Sequence, residues 1–189
     1  MNIALPTRMT VDEFLAWSMR QDSGRYELFG GRVAMQQSQN WGHAELCWRT
    51  ANVLATAIER ARVPFFAAPE GMTVRIRKNE AYEPDGLVAP LPKPDPRDLE
   101  ISNPVLVVEV LSPSTTRRDL VDKLAGYFQV PSIQHYLVID PAEREIIWHR
   151  RAAGTALEPP LTLREGSLKL DPPGIEIAVA DVFPSEPAA

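Results

Sequence analysis

One carboxylate stands alone inside an apolar run: Pro104-Val-Leu-Val-Val-Glu-Val-Leu111 carries Glu109 in its middle. An ionised carboxylate moved out of water is costly unless it takes up a proton, a partner or a cation. Upstream, Pro84-Asp85-Gly-Leu-Val-Ala89 is a second short apolar run that opens on an acid, and downstream the stretch from Arg117 to Phe128 contains Lys123. Two acids on adjacent strands with a lysine nearby are the minimal parts of a metal-dependent phosphodiester-cleaving site.

These residues need elements to carry them. The Glu109 run reads as a fully buried strand, since it is apolar throughout rather than alternating. Leu120, Lys123, Leu124 and Tyr127 are spaced to share one helical face, so Lys123 points with the apolar residues toward a sheet. Asp119 lies four positions earlier, and an ordinary helical ion pair with it is the competing explanation for Lys123. Thr116-Arg-Arg-Asp119 offers a capping box for this helix, and Thr10-Val-Asp-Glu13 offers one for a short N-terminal helix. Arg25 to Met35 reads as a hairpin about Gly30-Gly31, with Glu27 on its first strand. An exposed strand position is the plain reading of Glu27, and a site acid is the other.

From His43 to Ala61 the apolar residues fall on one helical stripe, which makes this the longest helix. His43 in its first turn is either a polar residue at a helix start or a side chain that lines a site. Phe65–Ala68 and Met72–Arg77 read as strands, the second with one wet face, and the prolines from Leu91 to Asp98 mark an extended loop. Ile133–Ile139 and Glu145–Arg150 form a strand pair joined at Asp140-Pro141, which His135 and His149 decorate. The tail from Leu161 to Val179 reads as short strands or an extended covering segment, with fraying from Pro184.

A chain of 189 residues that is 44% hydrophobic and 24% charged fits one globular domain over 1–189 with its core about 10–183. The net charge of −5 argues against nonspecific coating of nucleic acid, which depends on summed phosphate neutralisation. It leaves room for a nuclease whose acidic site is balanced locally, with Arg75/Arg77/Lys78, Arg117/Arg118 and Arg144/Arg150/Arg151 as basic spots. The lone Cys47, the absence of an apolar leader and the absence of a bilayer-length run make the cytoplasm the expected compartment, with no membrane partner.

Taken in order, Tyr26-Glu-Leu with Gly31-Arg-Val, His43, Pro84-Asp85, Val107-Val-Glu-Val-Leu-Ser-Pro-Ser-Thr115, Asp119-Leu with Lys123 and Tyr127, His135-Tyr-Leu-Val-Ile-Asp-Pro141 and Gly174–Phe183 resemble the Uma-two family. That family groups restriction-endonuclease-like proteins of the PD-(D/E)XK nuclease superfamily. The resemblance implies an α/β (α+β) fold: a restriction-endonuclease-like core with a central mixed β-sheet flanked by helices, plus an N-terminal hairpin and C-terminal strands. It also implies that Asp85, Glu109 and the backbone carbonyl of Val110 hold Mg2+ or Mn2+ through hard oxygen ligands. The superfamily signature places a lysine two positions after the glutamate, where this chain has Leu111. Lys123 matches the place on the following helix to which the family moves it, beside the attacking water. Glu27 matches the family's early glutamate, and His43 and Ser112 would lie in the outer shell. The implied substrate is nucleic acid, DNA foremost, and a homodimer suits an enzyme that cuts both strands of a duplex.

Two other readings stay open at this stage. A degenerate nuclease fold would keep the acids as a buried network and act by binding or assembly. A phosphodiesterase of the same chemistry could act on a small nucleotide, which the acidic balance favours. A groove edged by Arg75, Arg77, Arg117 or Arg118 points to polynucleotide, and a closed pocket points to a small substrate.

Overall fold

The computed structural model of the protein describes residues 8–112, 117–152 and 156–183. Along the chain the elements are α1 (Val11–Ser18), β1 (Tyr26–Phe29), β2 (Arg32–Met35), α2 (Trp41–Ala61), β3 (Phe65–Pro69), β4 (Val74–Arg77), β5 (Glu80–Tyr82), β6 (Gly86–Pro90) and β7 (Leu106–Val110). They continue with α3 (Arg117–Tyr127), β8 (His135–Asp140), β9 (Glu145–Arg150), β10 (Leu161–Leu163), β11 (Ser167–Leu170), β12 (Ile175–Ala178) and α4 (Val179–Val182).

The Glu109 run becomes β7, with every residue buried. It lies inside a six-stranded sheet ordered β10-β9-β8-β7-β6-β3. β6 pairs antiparallel with β7, and β7 pairs parallel with β8. A parallel neighbour needs a crossover connection, and α3 lies in the one between β7 and β8. The apolar continuity of β7 follows from cover on both faces. Leu106, Val108 and Val110 join the core made with α2 residues Leu46, Cys47, Leu54 and Ile58. Val107 joins the opposite core with Tyr127 and Tyr136. Strand alternation puts Glu109 on the face of Val107. A mixed sheet with helices on its two faces is the expected architecture.

A second sheet, ordered β2-β1-β5-β4, carries the N-terminal hairpin. Gly30 and Gly31, both at positive φ, make its turn. The capping box of α1 is present, with Thr10 N donating to Glu13 Oε2 at 2.8 Å and Glu13 N donating to Thr10 Oγ1 at 3.3 Å. β5 carries no strand signal in the sequence, because Glu80-Ala-Tyr82 is short and opens on a charge. In the tail, β10 extends the central sheet, β11 and β12 form a ladder beside α2, and Val179–Val182 turn into the short α4. The capping box expected at Thr116, the side chains of Arg117 and Arg118, and the stretch from Pro184 lie outside the described residues. No helix among the described residues is long and apolar enough to cross a membrane.

Candidate active site

Glu109 is 8% exposed and accepts three hydrogen bonds. Lys123 Nζ donates to Oε1 at 2.8 Å and to Oε2 at 2.9 Å, and the hydroxyl of Tyr127 donates to Oε1 at 2.6 Å. Lys123 and Tyr127 stand four residues apart on one face of α3, so a single helix brings both donors to the strand. The same ammonium lies 3.0 Å from Glu27 Oε1, across in the second sheet. Glu27 is buried rather than exposed, and its Oε1 accepts from Glu83 N at 2.9 Å. The ammonium thus spans Glu109 and Glu27.

Asp85 sits at the start of β6, where its Oδ2 accepts the backbone N–H of Val110 at 2.8 Å. Its own N–H donates to Val108 O at 2.9 Å. The Val110 carbonyl meets His43 Nε2 at 3.0 Å, and that nitrogen is 3.6 Å from Asp85 Oδ2. A carbonyl can only accept, so His43 carries its proton on Nε2. The other ring nitrogen, Nδ1, is then the acceptor for the Cys47 thiol at 3.3 Å. His43 is a buried side chain of this site as well as a first-turn residue held by Asn40, whose Oδ1 takes its N–H at 3.0 Å.

These groups line a cleft of about 440 Å³ that includes Glu27, Glu83, Asp85, Glu109, Val110 and Lys123. Its rim is formed in part by the exposed Gln37, Ser38 and Asn40 between β2 and α2. Burial pushes the Asp85 carboxyl up to about 6, although the Val110 N–H and Lys123 pull the other way. Burial also raises Glu109 above the usual carboxylate range; Lys123 opposes this, while Asp85 and Glu27 reinforce it. Burial works against the charge of Lys123, but Glu109 and Glu27 overcome it and hold the ammonium protonated. Burial lowers His43 and so keeps its ring neutral. Three buried acids stand around one ammonium, and their carboxylate oxygens are hard donors of the kind that can hold a divalent cation.

The structure therefore brings Asp85, Glu109, Lys123, Glu27 and the Val110 carbonyl to one cleft. Of the arginines expected to edge a groove, Arg75 and Arg77 go elsewhere, and the side chains of Arg117 and Arg118 lie outside the described residues. Arg75 is held by Glu100, with Nε to Oε1 at 2.9 Å, and by Asp12 at 2.7 Å. Arg77 is held by Glu80, and no arginine is among the described residues lining the cleft. His135 lies outside it and accepts from Trp148 Nε1 at 3.2 Å.

Sequence reasoning missed Glu83 and Arg25. Glu83 is buried beside Asp85, and Arg25 binds both Glu83 and Glu70. The available signal was an acid next to Pro84-Asp85 in a chain that buries few others. The bond from Tyr127 to Glu109 could have been drawn from its spacing to Lys123.

Comparison with known proteins adds three findings. A family profile described as "Putative restriction endonuclease" matches residues 11–180. Two uncharacterized proteins of Synechocystis are similar in sequence: slr1290 is 28% identical over 78% of this chain and 77% of its own length, and sll1609 is 29% identical over 74% and 79%. The fold is similar to the crystal structure of "a putative nuclease belonging to DUF820" from Anabaena variabilis, with a TM-score of 0.73 over 93% of this chain and 97% of that one, at 14% identity.

Proposed function

This chain belongs to the Uma2 family, and from that premise we propose that it is a metal-dependent endonuclease hydrolysing phosphodiester bonds of nucleic acid, DNA foremost. The observation that carries the proposal is the shared ammonium: Lys123 Nζ lies 2.8 Å from Glu109 and 3.0 Å from Glu27 in a cleft that Asp85 also lines. The residues fit a divalent ion because the buried acids outnumber their cation. Asp85, Glu109 and the Val110 carbonyl would hold Mg2+ or Mn2+, the carbonyl through the lone pair that His43 leaves free. When bound, such an ion supplies Lewis acidity and makes a water a better nucleophile.

The chain's own groups do the rest. Lys123 presents its N–H bonds to the negative charge that develops on the phosphoryl oxygens. Glu27 keeps that ammonium protonated and aimed into the cleft, and Tyr127 fixes the rotamer of Glu109. Cutting both strands of a duplex calls for two such sites, so we place the working unit as a homodimer. Sedimentation of a monomer that cuts both strands would remove that part.

The test is metal-titrated cleavage of single-stranded, double-stranded and structured DNA and RNA by wild type, Glu109→Gln and Lys123→Ala. Cleavage by wild type alone is the expected result. Equal cleavage by all three would place the chemistry elsewhere. A second reading, action on a small nucleotide, draws on the absence of arginines among the described cleft residues. Cyclic and linear dinucleotides in the same assay decide between them.

A further inference from the structure

His43 and Cys47 stand four residues apart on α2, a spacing at which two helical side chains can reach one ion. Asp85 approaches from the start of β6. One ligand atom from each of the three lies within 4.8 Å of the others, and His43 Nδ1 is 3.3 Å from Cys47 Sγ. A tetrahedral ion with bonds of about 2.0–2.3 Å to nitrogen, oxygen and sulfur has ligand–ligand edges of about 3.4–3.6 Å. The helix therefore supplies one edge nearly at its final length, and Asp85 closes the remaining gap. His43 and Asp85 also line the cleft, so a fourth position can face water.

The donors decide which ions fit. Thiolate and imidazole prefer zinc and cobalt, whereas magnesium takes oxygen. We propose that His43, Cys47 and Asp85 form a site for a thiophilic divalent cation, Zn2+ or Co2+, distinct in chemistry from the oxygen site of Asp85, Glu109 and Val110. Because both sites need Asp85, filling this one displaces the ion of the other, and zinc acts as an inhibitor of the proposed nuclease.

Binding balances simply. The Cys47 thiol loses its proton to solvent, its sulfur bonds the ion as thiolate, and no electron changes hands. The departing S–H releases the Nδ1 lone pair it occupied, which becomes the second ligand. His43 Nε2–H keeps its bond to the Val110 carbonyl and orients the ring, as second partners of metal-bound imidazoles do.

The experiment is a Co2+ titration of the whole protein at neutral pH, without nucleic acid, read by visible absorption and by proton release into weak buffer. Wild type is expected to develop a thiolate-to-cobalt charge-transfer band and tetrahedral ligand-field bands, and to release one proton per ion. Zn2+ bleaches the bands, and a large excess of Mg2+ does not. Cys47→Ser loses the charge-transfer band and binds Co2+ at least about tenfold more weakly, and His43→Gln weakens binding similarly. A folded wild type with no charge-transfer band overturns the proposal, as does unchanged Co2+ affinity in a Cys47→Ser protein with a normal melting transition. These readouts do not depend on cleavage. Failure of the nuclease reading leaves them standing, and active cleavage without the band removes this site alone.

Discussion

Two tyrosine–glutamate–cation groups lie side by side in this molecule and differ in their cation and in how many acids it serves. In the first, Tyr82 OH donates to Glu80, and Arg77 Nε grips the same carboxylate at 2.6 Å. In the second, Tyr127 OH donates to Glu109, which Lys123 grips. The two tyrosine rings meet edge-on, with centroids 5.3 Å apart. The first group gives one acid one cation, and the planar guanidinium satisfies the carboxylate with fixed geometry. The second spreads one compact ammonium over two acids with a third, Asp85, close enough to raise Glu109. A balanced network holds a fold together. An unbalanced one stays receptive to a further cation, since burial of like charge has a cost that a bound cation offsets.

Removing each cation is the severest way to break that comparison. Lys123→Met should lower cleavage by about 10²–10³-fold, and it should destabilise the metal-free protein by about 3–5 kcal/mol because two buried carboxylates lose the ammonium they share. Arg77 is 55% exposed but its partner Glu80 is buried, so Arg77→Met should cost about 1–2 kcal/mol, less than Lys123→Met, and leave cleavage intact. Urea unfolding beside the cleavage assay checks both, and similar losses in the two variants would erase the distinction.

Removing the acids sharpens it. Wild type and Glu80→Gln should gain about 2.7 kcal/mol from Mn2+ at one hundred times its dissociation constant, whereas Glu109→Gln should gain almost nothing. Thermal melts with and without the ion measure this.

Acidity gives the next effect. The Asp85 carboxyl sits at about 6 in the fold against 3.8 in an open chain, so between these values the folded state holds more protons than the unfolded one. Stability is then present at low pH and falls as pH rises through 6. The Asp85 contribution should fall by about 1–2 kcal/mol between pH 5 and pH 8, read as the difference between the metal-free wild type and Asp85→Asn. A saturating divalent ion should flatten or reverse that difference, and a wild type and Asp85→Asn with parallel metal-free profiles would contradict the burial argument. The smallest contrast is between the phenols. Tyr127→Phe and Tyr82→Phe should each cost about 1–2 kcal/mol of stability, but only the former should reduce the turnover of cleavage.

The long elements were legible because their patterns have one solution. The stripe from Ala44 to Ile58 has the period of a helix face, and the apolar residues Val105–Val108, Val110 and Leu111 that flank Glu109 have the continuity of an inner strand. Asp85 and Glu109 were legible because each is an acid in an apolar run. Lys123 was legible by helical spacing, although Asp119 competed for it. Glu27 was ambiguous from local pattern alone. Its neighbours Tyr26 and Leu28 do not reveal that a second sheet folds over it, and the N–H that binds it belongs to Glu83, 56 positions away. Arg75 and Arg77 misled for the complementary reason. A run such as Arg75-Ile-Arg77 shows charge, but its cancelling partners Asp12, Glu100 and Glu80 come from other elements. Local pattern locates side chains that must avoid water, and long-range pairing decides which charges are left over.

The joint between the two sheets has a consequence of its own. Only Glu83-Pro84-Asp85 separates the end of β5 from the start of β6, and all three residues are buried. Chain length there acts as a ruler: one residue inserted or deleted would turn Asp85 away from the Val110 N–H and slide Glu27 past the ammonium together. The spacing of the acids is thus written in a count of peptide units, and a family member altered in that count would have lost its alignment even with every polar side chain retained.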